Sequence, residues 1–417
     1  MDNVSYMNLG SIKGFNELLQ HDNNSTSNVL KLNKLECRTE NNQLYKIITY
    51  DKSILNHDLV DTYGLCRSVI INSKNNVVGF APPKSFQADK FLELYPIPSE
   101  DIVAQEFVEG TMINVFFDPT IGLTGGWEIA TRNIVGATCG FFSQQTMSQE
   151  KSKQTFRSMF LEAAKKNNLI LENLNRNLSY SFVLQHPNNR IVIPIKKPQL
   201  YLVAIYCIDN NDKNNITVFT TDLQESTEYW LTTTIKFPET YAFNEYIELI
   251  DKYASMNTSY DKLGFVLYNK KTGHRTKIRN PVYEEVRHLR GNQSKLQFQY
   301  LTLRKEGKMN EFLKLFPENK KECSFFRGQL HLFTNTLFEN YISCYIKKEK
   351  PLKEFSPQYR RHMFHLHEYY KNELKGQKLF VTKKIVIDFV NNLQPQFLMY
   401  SLNYNHILHT NDMGKQI

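Results

Sequence analysis

QEFVEGTMINVFF, residues 105–117, carries a turn and a strand side by side. Thr111 to Phe117 is rich in β-branched and aromatic side chains, which suit a pleated, half-buried surface better than a helix. Gly110 opens the run and Glu109 sits just before the glycine. Phe107 and Val108 precede them, so a ring, an aliphatic side chain and a carboxylate crowd one turn.

Outward from this stretch the same pattern repeats. LCRSVII, VVGFAPP, WEIAT, SYSFVLQ, RIVIPI and GFVLYN read as short strands, with Asn75–Asn76 and Gly125–Gly126 as turns. LYLVAIYC is a continuous apolar run and predicts a central strand covered on both faces. HRTKIRN follows GFVLYN across Lys271–Gly273, and Lys277 and Arg279 alternate so as to share one face. Residues 152–168 interrupt the strands, with Phe156, Met159, Phe160 and Ala163 at helical spacing.

After Tyr283 the spacing turns helical. Phe333, Leu337 and Tyr341 lie four apart, and Tyr359, Met363, Leu366 and Tyr370 follow Ser356–Pro357, an N-cap with proline in the first turn. Thr382 caps the expected last helix, KKIVIDFVNNL. The fold class expected is α+β, with mostly antiparallel sheets and then an all-α C-terminal domain. The expected divisions are residues 1–60, an N-terminal extension or part of the first domain, then 61–283, then a basic helical domain at 284–417.

The charge is uneven. Residues 284–417 hold 22 Lys+Arg against 13 Asp+Glu, whereas residues 1–283 hold 29 of each. A basic part joined to a neutral one implies a polyanion partner, most simply nucleic acid. No apolar run reaches membrane-spanning length and no basic-then-apolar leader opens the chain. Six scattered cysteines without a Cys-x-x-Cys pair imply free thiols in a reducing compartment, hence the cytoplasm. Abundant Asn, Lys and Ile point to an AT-rich genome, such as that of a large DNA virus, so a viral factory or virion is a further setting. His362, His365 and Glu368 share a helix face, but without a cysteine partner they read as a solvated polar face rather than a metal site.

The order of these landmarks resembles the covalent nucleotidyltransferases, and within them the phage-type RNA ligases that repair nicked tRNA. GLCRSVIINSKNNVVGFAPPKSF, FVEG at 107–110, ATRN at 130–133, FVLQHPNNRIV at 182–192, LGFV at 263–266 and TKIRN at 276–280 carry the likeness over about residues 60–285. The resemblance implies an RNA-ligase-like nucleotidyltransferase domain. It also implies phosphate or nucleotide contacts from Arg67, Lys84, Phe86, Glu109, Arg132, Lys277 and Arg279.

The same comparison implies lost chemistry. The family's lysine, which attacks the α-phosphate of ATP, is replaced by Phe107, which has no lone pair. Its two carboxylates are replaced by Val183 and Leu263, which offer a hard cation no oxygen. No residue is therefore assigned as catalytic and no metal ligand is assigned. No cofactor is required, ATP or another nucleotide is the candidate ligand, and a divalent metal is not expected.

The expected function is that of an adenylylation-defective binder of RNA, nucleotide or capped RNA ends, with RNA as partner through the basic domain and no membrane. The alternatives are an active ATP-dependent RNA ligase with a rearranged site, using Lys84 or Lys90, and a structural or assembly protein that keeps only the fold and grips a protein partner. Gln185 and His186 read as a strand hydrogen-bonding residue and a turn residue before Pro187.

Overall fold

The computed structural model describes residues 5–20, 31–140, 154–223, 227–293 and 295–405. The chain divides into two compact units, Met1–Arg287 and His288–Ile417. The boundary falls four residues after the expected one. The first unit holds three antiparallel sheets, and the second is helical. The α+β class with antiparallel sheets and a helical C-terminal part is therefore what the chain adopts.

The quoted stretch is the hinge of this architecture. Strand Ile102–Glu106 belongs to a four-stranded sheet with Thr240–Tyr241, Gly264–Asn269 and Arg275–Arg279. Strand Thr111–Asp118 belongs to a six-stranded sheet, ordered Tyr6–Asn8, Thr217–Thr221, Gln199–Asp209, Leu178–Gln185, Thr111–Asp118, Gly126–Ala130. Residues 107–110 carry the chain from one sheet to the other. Gly110 makes the passage possible: its φ is +152°, and a Cβ there would lie 2.5 Å from Leu184 O.

Each sheet buries its alternate residues. Ile113 and Val115 pack with Phe156, Met159, Phe160, Ala163 and Ala164 of helix Phe156–Lys166, whose Thr155 cap accepts from Ser158 N. Each fully buried Phe contributes about 1.5–3 kcal/mol. Strand Gln199–Asp209 lies between two partners, as expected of the apolar run. The first sixty residues supply an edge strand of the six-stranded sheet and two strands, Leu32–Arg38 and Leu44–Tyr50, of the third sheet. Their Leu9, Phe15 and Leu19 share a core with Val69, Phe80 and Tyr206.

Two expectations are corrected. RIVIPI, residues 190–195, forms no strand. The Val192 and Ile193 N–H groups donate to the Glu109 carboxylate, each at 3.1 Å, instead of to a neighbouring strand, and Pro194 has no N–H to offer. KKIVIDFVNNL forms helix Lys383–Asn392 with Thr382 as its cap, but a further helix, Pro395–Leu402, follows it.

The helical unit buries Phe333, Leu337 and Tyr341 of helix Lys320–Tyr341 together with Met363 and Leu366 of helix Pro357–Tyr369. Ser356 caps the latter by accepting from Gln358 N. All six cysteines are unpaired. No helix among the described residues is long and apolar enough to cross a membrane.

Candidate functional site

The passage at residues 107–110 opens onto a cleft of about 1700 Å³ in the first unit, lined from both the four-stranded and the six-stranded sheet. Phe107 is half-buried on its wall, and its N–H donates to Gly264 O at 3.3 Å. Opposite lies strand Arg275–Arg279, paired with Gly264–Asn269 so that Val266 faces Lys277. Gly264 has φ +128°, and a Cβ there would overlap Ile278 O, so this pairing requires glycine.

Period-two alternation puts Arg275, Lys277 and Arg279 on the cleft wall together. The Lys277 ammonium stands 5.0 Å from the centroid of the Phe107 ring, and the Arg279 guanidinium carbon 5.9 Å. Arg67 joins them from the loop before Val69. Burial, then repulsion from Arg275, Arg67, Arg279 and Lys84, lowers the Lys277 pKa to about 6. Burial also lowers Arg275 to about 10, and Arg67 and Lys84 in the same direction.

The carboxylates nearby are spoken for. Glu109 is buried, accepts from Val192 and Ile193 N–H, and bonds the Tyr283 hydroxyl, whose pKa rises through burial first and Glu109 second. Glu284 pairs with Arg279 Nε at 3.4 Å and with Arg287 at 2.8 Å. Glu106 Oε2 accepts from Glu239 N at 3.4 Å, and burial raises its pKa. Among the described residues Arg67, Arg275 and Lys277 have no carboxylate partner, and the buried Nε of Arg275 has no hydrogen bond at all.

The other sequence candidates take supporting positions. Arg132 stacks over Tyr50 at 4.8 Å and donates from Nε to Arg67 O at 3.3 Å, which fixes the loop carrying Arg67. Lys84 donates to Ser85 O at 3.2 Å. Phe86 is 9% exposed and packs in the core beneath the basic strand. Its N–H donates to Arg275 O and its carbonyl accepts from Thr276 Oγ1, so it anchors that strand and does not line the cleft. Gln185 donates to Glu109 O and His186 bonds Glu162, the ordinary roles expected of them.

Val183 and Leu263 are buried at the cleft and apolar. Val183 clusters with Val108, Tyr201, Met112 and Val203, giving one side of the cavity a greasy surface. No group of three His, Cys, Asp or Glu suited to holding a metal ion by protein ligands alone occurs among the described residues. His362 is buried, with Nε2 2.7 Å from Ser401 Oγ, and burial lowers its pKa to about 4.

Sequence reasoning missed Arg275 and Arg287. Arg275 was findable, because it precedes Lys277 by the strand period. Arg287 reaches the cleft from helix Pro281–Arg290 by packing that no local pattern encodes.

No protein-family model matches the chain. A curated RNA ligase of Rhodothermus phage RM378 is 22% identical over 296 residues, covering 63% of this chain and 64% of that protein. The chain thus spans a little under two thirds of that relative. Among solved structures, a lysine variant of a Naegleria gruberi RNA ligase with ATP and Mn superposes with a TM-score of 0.35 at 14% identity, over 49% of this chain and 57% of that one. A ligand-free Naegleria gruberi RNA ligase variant gives 0.35 at 13%, over 61% and 76%. The phage relative bears out the resemblance drawn from the motif order: the chain is related to RNA ligases of the covalent nucleotidyltransferase type.

Proposed function

We propose that this is an RNA-ligase-like protein that holds the phosphates of a nucleotide or RNA end in the cleft without loading AMP onto itself. The observation that carries the reading is the trio Arg67, Arg275 and Lys277, gathered without carboxylate partners on the cleft wall, with Lys277 facing a phenylalanine that cannot act as a nucleophile. The charged Arg67 and Arg275 repel one another and help hold Lys277 unprotonated, and a polyphosphate relieves that repulsion while forming charge-assisted hydrogen bonds. Arginine suits this role because its charge survives burial and its fork matches phosphate oxygens. Lys277 takes up a proton as the anion enters. The apolar side of the cleft suits a base or another flat group attached to those phosphates. Basic side chains of the helical unit contact the backbone of a longer RNA.

The test is equilibrium binding of ATP and of 5′-triphosphate RNA to the full chain, with Arg275→Ala beside it. The reading expects binding that weakens about 10- to 100-fold in the variant, the scale of one charged hydrogen bond. Wild-type protein that binds neither ligand at low salt overturns it.

One observation favours a second reading. Lys277 is an amine facing the cleft with its basicity depressed, as a nucleophile's would be. Lys84 and Lys90, the sequence candidates, fit less well: Lys90 pairs with Glu93 at 3.0 Å and neither lysine lines the cleft. On this reading Lys277 Nζ attacks the α-phosphorus of ATP. The N–P bond forms, the bond to the β-phosphate oxygen breaks, pyrophosphate leaves, and the nitrogen loses a proton to water. Crowding by Arg275, Arg67 and Arg279 favours the trapped-phosphate reading, since neither Val183 nor Leu263 can hold a metal for the leaving group.

A further inference from the structure

Helices Pro357–Tyr369 and Pro395–Leu402 pack together in the helical unit through His362 and Ser401, and through Gln358 Nε2, which donates to Ser401 O at 2.8 Å. Outside that seam their large exposed apolar side chains are all aromatic. Phe364 is 49% exposed, Phe397 56% and Tyr400 54%. The Arg361 guanidinium carbon lies 5.7 Å from the Phe397 ring centroid. Phe364 and exposed His365 follow Arg361 by one helical turn, and Tyr400 follows Phe397 by another. Helix Pro395–Leu402 contains no Asp or Glu, and the one carboxylate of helix Pro357–Tyr369, Glu368, pairs with Lys371 at 3.3 Å.

We propose that this surface binds single-stranded nucleic acid, with bases stacked on Phe397, Tyr400 and Phe364 and phosphates held by Arg361 and Arg360. The inference rests on the RNA-binding reading but concerns a face built within the helical unit, separate from the cleft. Exposed rings beside Arg360 and Arg361, with the nearby Glu368 paired to Lys371, match a ligand that alternates flat bases with charged linkages. A duplex keeps its bases stacked internally and leaves the rings nothing to hold.

Fluorescence anisotropy with the full chain tests this, using an unstructured RNA of about twenty nucleotides, the matching duplex, and phosphatidylserine vesicles. The RNA carries a 5′-hydroxyl so that the cleft is offered no terminal phosphate. The expected result is tighter binding of the single strand than of the duplex. The double variant Phe397→Leu/Tyr400→Leu keeps apolar volume for folding, and it should bind the single strand about 10- to 100-fold more weakly with the salt slope unchanged. Arg361→Ala should reduce the salt slope by about one. Single-strand affinity unaltered in the double variant, equal affinity for the duplex, or preference for vesicles would each overturn the proposal. Salt-sensitive RNA binding that ignores these variants sinks this surface alone. No RNA binding at any salt sinks the RNA reading with it.

Discussion

The Lys277 side-chain nitrogen faces the ring of Phe107 at 5.0 Å, across the passage that joins the two sheets of the cleft. The contact sets an amine of depressed basicity over the ring that stands at the position where the motif resemblance puts a reactive lysine. Around it stand Arg67, Arg275 and Arg279. The Phe107 ring therefore faces two basic side chains of the cleft wall, Lys277 and Arg279, of which Arg279 pairs with Glu284.

Substituting Phe107→Lys is expected not to restore self-labelling with ATP. It adds a further cation beside Lys277 and leaves Val183 and Leu263 unable to ligate a metal. The variant should melt at lower temperature than wild type in low salt, and the gap should narrow as salt rises. An AMP adduct on the introduced amine of this single variant would show that the rest of the machinery is intact.

Proton linkage gives a second prediction. The Lys277 pKa is about 6 in the fold, against an ordinary value of 10.5. Between these values the unfolded chain binds more protons than the folded one, so this residue makes stability rise with pH. Its cost is complete below about pH 6 and is relieved as pH climbs towards the ordinary lysine range. A bound polyphosphate returns the proton. Calorimetry at pH 8, in buffers of differing ionisation enthalpy, should therefore record proton uptake on ATP binding. Lys277→Arg, always charged, should keep binding and lose most of that uptake. Uptake equal in the variant and the wild type would assign the effect elsewhere.

Glu109→Gln should lower stability by about 1–3 kcal/mol, because the carboxylate takes the Val192 and Ile193 N–H groups and the Tyr283 hydroxyl. A denaturant titration reads this, and nucleotide affinity should fall less than in Arg275→Ala. A larger loss of affinity than of stability would give Glu109 a direct part in binding.

Gly264→Ala should cost more than about 2 kcal/mol, since its φ of +128° and the overlap of a Cβ with Ile278 O both oppose a side chain. The melting temperature reports it, and a variant as stable as wild type would mean that the hairpin pairs otherwise.

These contrasts show what local pattern encodes. The alternation of HRTKIRN carried both the hairpin and the shared face of Lys277 and Arg279, because the strand period is a property of neighbours. Ser356 and Thr382 were legible as caps for the same reason. RIVIPI misled because its run of β-branched side chains is that of a strand, while the partner of its N–H groups is Glu109, far away in sequence. Phe86 misled differently: the resemblance placed it beside a ligand, and the fold tucks it beneath the Arg275 strand. The missing partners of Arg67 and Arg275 are three-dimensional facts that no spacing reveals.

The central claim is that the cleft grips phosphates and does not form a bond to them. Intact-mass spectrometry of the wild-type chain after incubation with ATP and Mg²⁺ or Mn²⁺, from mildly acid to mildly alkaline pH, measures this directly. The account predicts unmodified protein throughout. A mass increase of one AMP, mapped to Lys277 and absent from Lys277→Ala, would contradict it and establish the second reading.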